Sequence, residues 1–316
     1  MKAIVTGCAG FIGSQLSEKL IEKGFEVIGI DSFENYYSLE IKQKNIEKLV
    51  KTDNFKLIKS NILDIDLNKI IEHNDFIFHL AAQAGVRASW ENNFEIYTKN
   101  NILATQRLLE SCKSKKIKKL VYASSSSIYG DVDTFPISEN IKPNPISPYG
   151  VSKLAGEYLC HLYYKNFNVP TISLRYFTVY GERQRPDMAF HKFIKNILEN
   201  KEIVIFGDGR QTRDFTYVGD IISGTISSAE SDVCDEIFNL GGGSRILLKD
   251  AINILKNVVD TDINIVYKDN EKGDVGHTYA DITKSKKLLG YDPKTKLEEG
   301  LEREVEWIKN LYYNDR

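Results

Sequence analysis

The amino-acid sequence predicts an α/β protein built on a doubly wound parallel sheet, with a smaller domain towards its C-terminus. Up to Tyr176, short apolar runs alternate with stretches that have the apolar spacing of helices, which is typical of such sheets. A glycine-rich turn separates the first run from the first helical stretch. Beyond about residue 177 the alternation becomes irregular. We therefore predict a first domain over residues 1–175 and a second mainly over 176–316, with a segment near 214–240 returning to the first.

The predicted strands are short and apolar, as strands buried on both faces of a sheet are. A strand at 2–6, a helix at 14–23 and a strand at 26–30 that ends in Asp31 form a βαβ unit. Further strands are expected at 55–59, 76–81, 119–124 and 171–176, and further helices at 101–113 and 149–167. The last of these helices begins where three prolines between Pro143 and Pro148 break the chain.

Composition excludes several classes of partner. The chain has 42 basic and 44 acidic side chains and a net charge of -2, so it offers no electrostatic footprint for nucleic acid or for an anionic membrane. It has no apolar run long enough for a membrane span. Because Met1–Val5 already resemble a buried strand, we expect no signal peptide and a cytoplasmic location. Four scattered cysteines and five scattered histidines predict reduced thiols and no metal site.

The glycine turn predicts a dinucleotide site. Gly7, Gly10 and Gly13 are spaced by three between the first strand and the first helix, which permits a tight turn and the approach of a pyrophosphate to the helix N-terminus. Asp31, at the end of the second strand, is placed to accept hydrogen bonds from both hydroxyls of an adenosine ribose. The carboxylate would repel a 2′-phosphate, so NAD is favoured over NADP. The alternative for Asp31 is a solvated loop carboxylate.

Tyr149 and Lys153 form a candidate catalytic pair. Among 17 tyrosines, Tyr149 is the only one with a lysine four residues later, and this spacing places both side chains on one helix face. A phenol has a pKa of about 10, and this pKa must fall by about three units before the phenol can act as a general base at neutral pH. A cation at about 4 Å would supply a shift of that size. Ser125, at the end of a strand, is placed to share the proton of a reacting hydroxyl. The alternative is a surface Tyr/Lys pair.

Together these motifs resemble the extended short-chain dehydrogenase/reductase family of NAD-dependent nucleotide-sugar epimerases, over nearly the whole length of the chain. The resemblance rests on the TGxxGxxG turn, Ser125 and Tyr149-x-x-x-Lys153. It implies a Rossmann-type first domain and a C-terminal UDP-sugar domain. It also adds cofactor-binding candidates beside the glycines, Asp31, Tyr149 and Lys153, namely Phe11, Ile12, Asn61, Ile62, Ala81, Ala82 and Asn101. The alternative for Asn101 is a structural hydrogen-bonding role.

Within that family, the segment after the strand 171–176 indicates the sugar. Thr178 stands where UDP-glucose 4-epimerases have asparagine, and its hydroxyl, with those of Ser126 and Ser127, suits a carboxylate at C6 of the sugar. Arg185 is placed to add a guanidinium. The segments 79–87 and 183–190 resemble UDP-glucuronic acid 4-epimerases, although Glu182 stands where that pattern has proline. The alternative for the hydroxyls is a polar strand end without a special role.

Two further segments resemble parts of the family's UDP site. Residues 207–215 include Arg213, placed for the diphosphate, and Asp274 is a candidate for a ribose hydroxyl. Glu271 stands where hexose epimerases have a second arginine. UDP-glucuronic acid decarboxylases carry a glutamate in the stretch equivalent to Ser126–Ser127, and this chain has none there.

The resemblance thus implies inversion at C4 of UDP-glucuronic acid, giving UDP-galacturonic acid through a 4-keto intermediate. A UDP-glucose or UDP-N-acetylglucosamine 4-epimerase is the alternative within the class, and a non-catalytic NAD-binding sensor is the alternative outside it. The resemblance also implies a homodimer formed by the helices near 101–113 and 149–166. Leu108, Leu154 and Leu162 are apolar positions for that contact, or else they face the sheet.

Overall fold

A seven-stranded parallel sheet forms the centre of the computed structural model, which describes residues 1–269 and 273–313 apart from the side chain of Asn92. The strands are β1 Lys2–Thr6, β2 Glu26–Asp31, β3 Phe55–Lys59, β4 Phe76–His79, β5 Lys119–Ser125, β6 Thr171–Tyr176, β7 Val179–Tyr180, β8 Ile203–Phe206, β9 Thr212–Arg213, β10 Thr216–Tyr217, β11 Glu236–Leu240, β12 Ile246–Leu247 and β13 Ile265–Lys268.

The α-helices are α1 Phe11–Glu22, α2 Leu39–Ile46, α3 Phe94–Tyr97, α4 Ala104–Cys112, α5 Pro148–Phe167, α6 Ala189–Leu198, α7 Val218–Glu230, α8 Leu248–Val259, α9 Thr283–Leu289 and α10 Leu297–Tyr312. A π-helix, Thr98–Leu103, connects α3 to α4. The short 3₁₀ turns are Leu49–Lys51, Ile62–Asp64, Leu67–Lys69, Arg87–Ser89, Glu91–Asn93 and Ser126–Ile128.

The order of the strands confirms the predicted fold class. The sheet runs β11-β6-β5-β4-β1-β2-β3, with every neighbouring pair parallel. The chain therefore moves outward from β1 in one direction and then returns to build the other half beside β4. In such sheets the ligand crevice opens at the carboxyl ends of the strands, where the order reverses. Here that point lies between β1 and β4.

Alternating side chains of the strands pack into two cores, one on each face of the sheet. Ala3 and Val5 face the core that contains α1 and α7, whereas Ile4 faces the core that contains α4 and α5. Both faces are thus covered, as the short apolar runs predict. In this arrangement Leu108 is completely buried on the sheet side of α4.

The C-terminal part adds three small two-stranded sheets, β10-β7, β12-β9 and β13-β8. It also contributes β11, which pairs with β6 at the edge of the main sheet. The division at residue 175 stays a prediction. Among the described residues, no helix has the length and apolar character needed to cross a membrane.

Candidate active site

The glycine turn lies at the bottom of a cavity at the carboxyl end of β1. Gly7 has a φ of +73°, and a Cβ there would lie 2.9 Å from the backbone nitrogen of Ala81. A Cβ at Gly13 would lie 2.1 Å from the carbonyl oxygen of Gly7. Gly10 is the N-cap of α1 and has no side chain to cap the helix, so the first amides of α1 are available to an anion. The turn has the space and donors that a pyrophosphate needs.

Asp31 is anchored beside this turn. Its carboxylate accepts hydrogen bonds from the backbone N–H of Ala9 at 3.0 Å and of Phe33 at 2.8 Å. Lys42, which the sequence analysis missed, has its Nζ 4.0 Å from the Asp31 carboxylate and donates to the carbonyl of Glu34. Burial lowers the pKa of Lys42. The carboxylate is therefore buried and fixed, unlike a solvated loop aspartate.

Most of the predicted cofactor residues line this one cavity. They are Gly7, Gly10, Phe11, Ile12, Gly13, Asp31, Asn61, Ile62, Ala81, Ala82, Tyr149 and Lys153, and Arg185 also lines it. The lining further includes residues without a recognisable motif, such as Ser32, Tyr36, Tyr37, Ser60 and Asn100. Asn61 uses its side-chain oxygen to accept from the N–H of Leu63, so part of its role is to cap a 3₁₀ turn.

Asn101 is buried behind the cavity wall instead of within its described lining. Its Oδ1 accepts from the N–H of Gln83 at 2.7 Å, and its Nδ2 donates to the carbonyl of Gln83 at 3.0 Å and to Ser152 Oγ at 2.8 Å. The side chain thereby ties the loop after β4 to helix α5. This geometry favours the structural reading of Asn101.

A buried hydrogen-bond chain fixes the other end of that loop. Thr105 Oγ1 donates to the carbonyl of Asn101 and therefore accepts from Nε2 of His79 at 2.9 Å. The Nδ1 of His79 then accepts from Thr6 Oγ1 at 2.8 Å, and Thr6 Oγ1 accepts from the N–H of Ala81. Burial lowers the pKa of His79 to about 3, so the ring stays neutral. The chain holds the backbone of the cavity wall at Ala81.

Helix α5 carries Tyr149 and Lys153. It begins at Pro148, and Ser147 caps it by accepting from the N–H of Gly150. Lys153 is buried one turn later, where its Nζ donates to the carbonyl of Ala123 at 2.8 Å. Burial lowers the pKa of Lys153 to about 8. The lysine is thus fixed between α5 and β5.

The ammonium group of Lys153 lies beside the aromatic ring of Tyr149. The Nζ of Lys153 lies 6.0 Å from the centre of the Tyr149 ring. Burial raises the pKa of Tyr149, while a hydrogen bond with Ser125 and the charge of Arg185 act to lower it. Burial thus opposes ionisation of the phenol, and Ser125 and Arg185 favour it.

The predicted sugar-binding hydroxyls lie at the ends of two neighbouring strands. Ser125 pairs in register with Tyr176 across β5 and β6, so Ser126, Ser127 and Thr178 follow at the same edge of the sheet. Ser125 Oγ accepts from the N–H of Ser127 at 3.1 Å and lies 3.1 Å from its hydroxyl. These residues border the described cofactor cavity without lining it.

Arg185 enters the cavity wall together with a partner that the sequence analysis missed. Its Nε and Nη2 each donate to the carboxylate of Asp187 at 2.9 Å. Tyr36 Oη also donates to that carboxylate, at 3.4 Å. The guanidinium of Arg185 is therefore oriented by a residue only two positions later in the chain. The Arg-x-Asp pattern in the sequence could have suggested this pair.

Arg213 and Asp274 lie in a second cluster, in the C-terminal part. Arg213 Nη1 donates to the carbonyls of Thr212 and Gly276, and burial lowers its pKa. Asp274 accepts a hydrogen bond from Arg87 at 2.6 Å, a pairing that the sequence analysis missed. Glu271 lies outside the described residues. The structure therefore places the predicted cofactor and UDP residues in adjoining but separate groups.

The chain is similar to known proteins over most of its length. The family model described as "NAD dependent epimerase/dehydratase family" matches residues 3–241. An uncharacterised UDP-glucose epimerase, YtcB, from Bacillus subtilis is 45% identical, with all of both chains covered. A UDP-glucuronate 4-epimerase from Thermodesulfobacterium geofontis is 43% identical over 97% of this chain and 95% of the relative. The crystal structure of UDP-glucuronic acid 4-epimerase from Bacillus cereus, with UDP-glucuronic acid and NAD, has 46% identity and a TM-score of 0.96, with 99% of this chain and 100% of that one covered.

Proposed function

Because the chain belongs to the NAD dependent epimerase/dehydratase family, we propose that it converts UDP-glucuronic acid into UDP-galacturonic acid by inversion at C4. The observation that carries this proposal is the set of hydroxyls of Ser126, Ser127 and Thr178 at the ends of β5 and β6. No carboxylate occurs between Ser124 and Ile128, so a negatively charged C6 group meets neutral donors there. The names of the relatives from T. geofontis and B. cereus support the same substrate.

The residues around the glycine turn fit NAD. A Cβ at Gly7 or Gly13 would strike the backbone of Ala81 or of Gly7, so the tight turn before α1 requires both glycines. The first amides of α1 suit the pyrophosphate, and Asp31 suits the adenosine ribose without a 2′-phosphate. When bound, NAD supplies a reversible hydride acceptor for C4, so the sugar passes through a 4-keto form.

Tyr149 acts as the general base for the C4 hydroxyl in this proposal. Ser125 hydrogen-bonds the phenol, and Arg185 adds a favourable charge. Lys153 contributes a buried positive charge from 6.0 Å. These three groups and the positive charge of the oxidised cofactor together favour the phenolate, so that Tyr149 can accept the proton of the C4 hydroxyl.

The hydroxyl set has a second task. A 4-ketouronate is a β-keto acid and loses CO₂ when its carboxylate bond stands perpendicular to the carbonyl plane. Ser126, Ser127 and Thr178 hold the carboxylate away from that alignment in the proposed complex. Each hydrogen bond to a charged acceptor contributes about 1.5 to 3 kcal/mol.

A neutral UDP-hexose is the second candidate substrate, supported by the name of the B. subtilis relative. The test is proton NMR of the purified protein incubated with UDP-glucuronic acid and, separately, with UDP-glucose, with no NAD added. We expect the uronate to be converted to its galacto isomer without loss of CO₂, and UDP-glucose to be turned over only at a low residual rate. Turnover of UDP-glucose alone would assign the hexose, and the fold and cofactor site would be unaffected.

The Tyr149→Phe variant tests the non-catalytic alternative. General-base removal lowers turnover by about 10²- to 10⁴-fold, while the glycine turn that suits NAD is untouched. If this variant and the native protein are both inactive on all UDP-sugars but bind NAD, the sensor interpretation is correct.

We also propose a homodimer formed through α5 and the helices before it. Val151, Tyr158 and Leu162 of α5 and Leu103 of the π-helix are exposed, with Leu162 49% exposed. Leu108 is excluded from this surface because it is buried against the sheet. Light scattering of native protein and of Leu162→Glu tests the contact, since the charge would raise the dissociation constant. A cytoplasmic location is proposed with it, supported by four cysteines that are all free thiols.

A further inference from the structure

Arg87 connects the two parts of the molecule. It lies in the 3₁₀ turn Arg87–Ser89 after β4, and its Nη2 donates to Asp274 at 2.6 Å. Its guanidinium also lies over the ring of Phe206, with Cζ 4.3 Å from the ring centre. A residue of the N-terminal part is therefore held by two residues of the C-terminal part. The side chain is 45% exposed.

Arg213 is the neighbouring cation. Its Nη1 is bound to backbone carbonyls, and none of the ion pairs in the described residues includes it. Burial is the main cause that lowers the pKa of Arg213; the charge of Asp274 opposes it, and the positive charge of Arg87 adds to the lowering. Two guanidiniums thus influence each other, and that of Arg213 makes no ion pair with a carboxylate in the part of the chain that the structure describes. Such a pair gains free energy when an anion binds between or beside its members.

We propose that Arg87 is the second cation of the UDP diphosphate subsite, together with Arg213. This inference rests on the proposed function and extends it by one specific residue. A diphosphate with two bridged phosphoryl groups carries charge that a single arginine does not balance. Asp274 engages one nitrogen of Arg87, and the remaining N–H groups of the fork are the donors for a phosphoryl oxygen.

Two features prepare Arg87 for this role. Stacking on Phe206 and pairing with Asp274 limit the rotamers of a long side chain before a ligand binds, which reduces the entropy that binding costs. The contact also spans both parts of the chain, so a diphosphate held by Arg87 and Arg213 joins the loop after β4 to the C-terminal part. Glu271, which lies outside the described residues, is an acidic residue at the position where hexose epimerases have their second arginine.

The test is calorimetric titration of the NAD-loaded protein with UDP, UMP and uridine. In Arg87→Ala we expect UDP affinity to fall about 10- to 100-fold, UMP affinity to fall less, and uridine affinity to change by about twofold at most. Arg87→Lys should lie between the native protein and Arg87→Ala, because it keeps the charge and loses the fork.

Arg303→Ala is the matched control. Arg303 is 47% exposed, pairs with Glu299 at 2.5 Å and lies over the ring of Tyr217 at 5.3 Å. Like Arg87, it is therefore a half-exposed arginine with one carboxylate and one aromatic ring beside it, but at another site in the fold. We expect its UDP affinity to stay within about twofold of the native value.

Three outcomes would decide against the inference. Unchanged UDP affinity in both Arg87 variants would overturn it. An equal loss of affinity for UDP and for uridine would mean that Arg87 acts only by holding Asp274 in place. Asp274→Ala would then show the same loss of affinity. Failure of the native protein to bind UDP would overturn the proposed function itself, which is a distinct result.

Discussion

Asp187 holds the guanidinium of Arg185 through both carboxylate oxygens, each 2.9 Å from its donor nitrogen. Arg185 lies in the wall of the same cavity as Tyr149, and its charge acts to lower the pKa of that phenol. The acid–base chemistry proposed for Tyr149 therefore depends on a residue 36 positions later in the chain and on the carboxylate that orients it.

Removal of Arg185 should shift the pH dependence of turnover to higher pH. In Arg185→Ala the phenolate of Tyr149 loses a favourable charge and faces the uncompensated carboxylate of Asp187, so the pKa of Tyr149 rises. Activity that requires the phenolate then appears only at higher pH. The measurement is kcat/KM for UDP-glucuronic acid from pH 6 to 10, and Arg185→Lys should show a smaller shift. An unchanged acidic limb in Arg185→Ala would show that the charge of Arg185 does not reach the base.

Lys153 should reduce the stability of the fold at neutral pH. Its pKa falls from 10.5 to about 8 because burial disfavours its charged form, which corresponds to about 3 kcal/mol of destabilisation. The cost is complete below pH 8, shrinks as the folded protein loses the proton, and vanishes near pH 10.5, where the unfolded chain also loses it. Lys153→Met should therefore unfold at higher denaturant than the native protein at pH 7, and the difference should disappear by pH 10.5.

The same substitution should abolish most of the activity. The expected result is a variant that is more stable and less active, as is common where a function requires a buried charge. Chemical denaturation followed by circular dichroism at pH 7 and pH 10.5 provides the stability values. A loss of stability at pH 7 would mean that the hydrogen bond to Ala123 outweighs the cost of burying the charge.

Asn101→Ala should weaken the loop after β4. It leaves the N–H and carbonyl of Gln83 without their partner, and each unsatisfied buried group costs about 1–3 kcal/mol. We expect a lower melting temperature and faster release of NAD, measured by nucleotide retention after gel filtration. Asn100→Ala is the matched control, because Asn100 is the neighbouring residue and accepts its hydrogen bond from Asn61. Equal losses in the two variants would contradict this assignment.

Thr178→Val should separate uronate from hexose recognition. The substitution keeps the shape of the side chain and removes its hydroxyl, so we expect kcat/KM for UDP-glucuronic acid to fall about 10- to 100-fold. Residual turnover of UDP-glucose should stay the same, and the fraction of product that loses CO₂ should rise. Both products are measured by NMR in one experiment. An equal fall in kcat/KM for the two substrates would mean that Thr178 stabilises the end of the strand and does not bind the carboxylate.

The sequence predicted the parts of the molecule that depend on local order. The glycine turn, Asp31 and the Tyr149-x-x-x-Lys153 spacing lie within single structural units, so their pattern is visible along the chain. All six predicted strands of the N-terminal part occur in the sheet, and β11 is the seventh. Differences at element ends are small: α1 begins at Phe11 instead of residue 14, because the extended Gly10 is its N-cap.

What the sequence did not predict depends on contacts between distant segments. The chain through Thr6, His79 and Thr105 joins three elements, and no spacing within one element reveals it. Lys42 comes close to Asp31 because α2 lies beside the end of β2 and the glycine turn, where Asn45 also donates to the carbonyl of Ala9. The 6.0 Å separation of Lys153 from the Tyr149 ring likewise follows from the carbonyl of Ala123 on β5, which holds the ammonium group.

The position of β11 has a consequence for biosynthesis. When β6 leaves the ribosome, its outer edge has no neighbour until β11 is made, some 60 residues later along the chain. At about 5–20 residues per second this interval lasts several seconds. All six residues of β6 are buried in the finished molecule, so a nascent chain exposes an unpaired strand and the apolar side chains of Ile172 and Leu174 during that time. Chaperone binding to ribosome-attached chains should therefore be strongest between the synthesis of β6 and that of β11, and weaker once β11 has emerged.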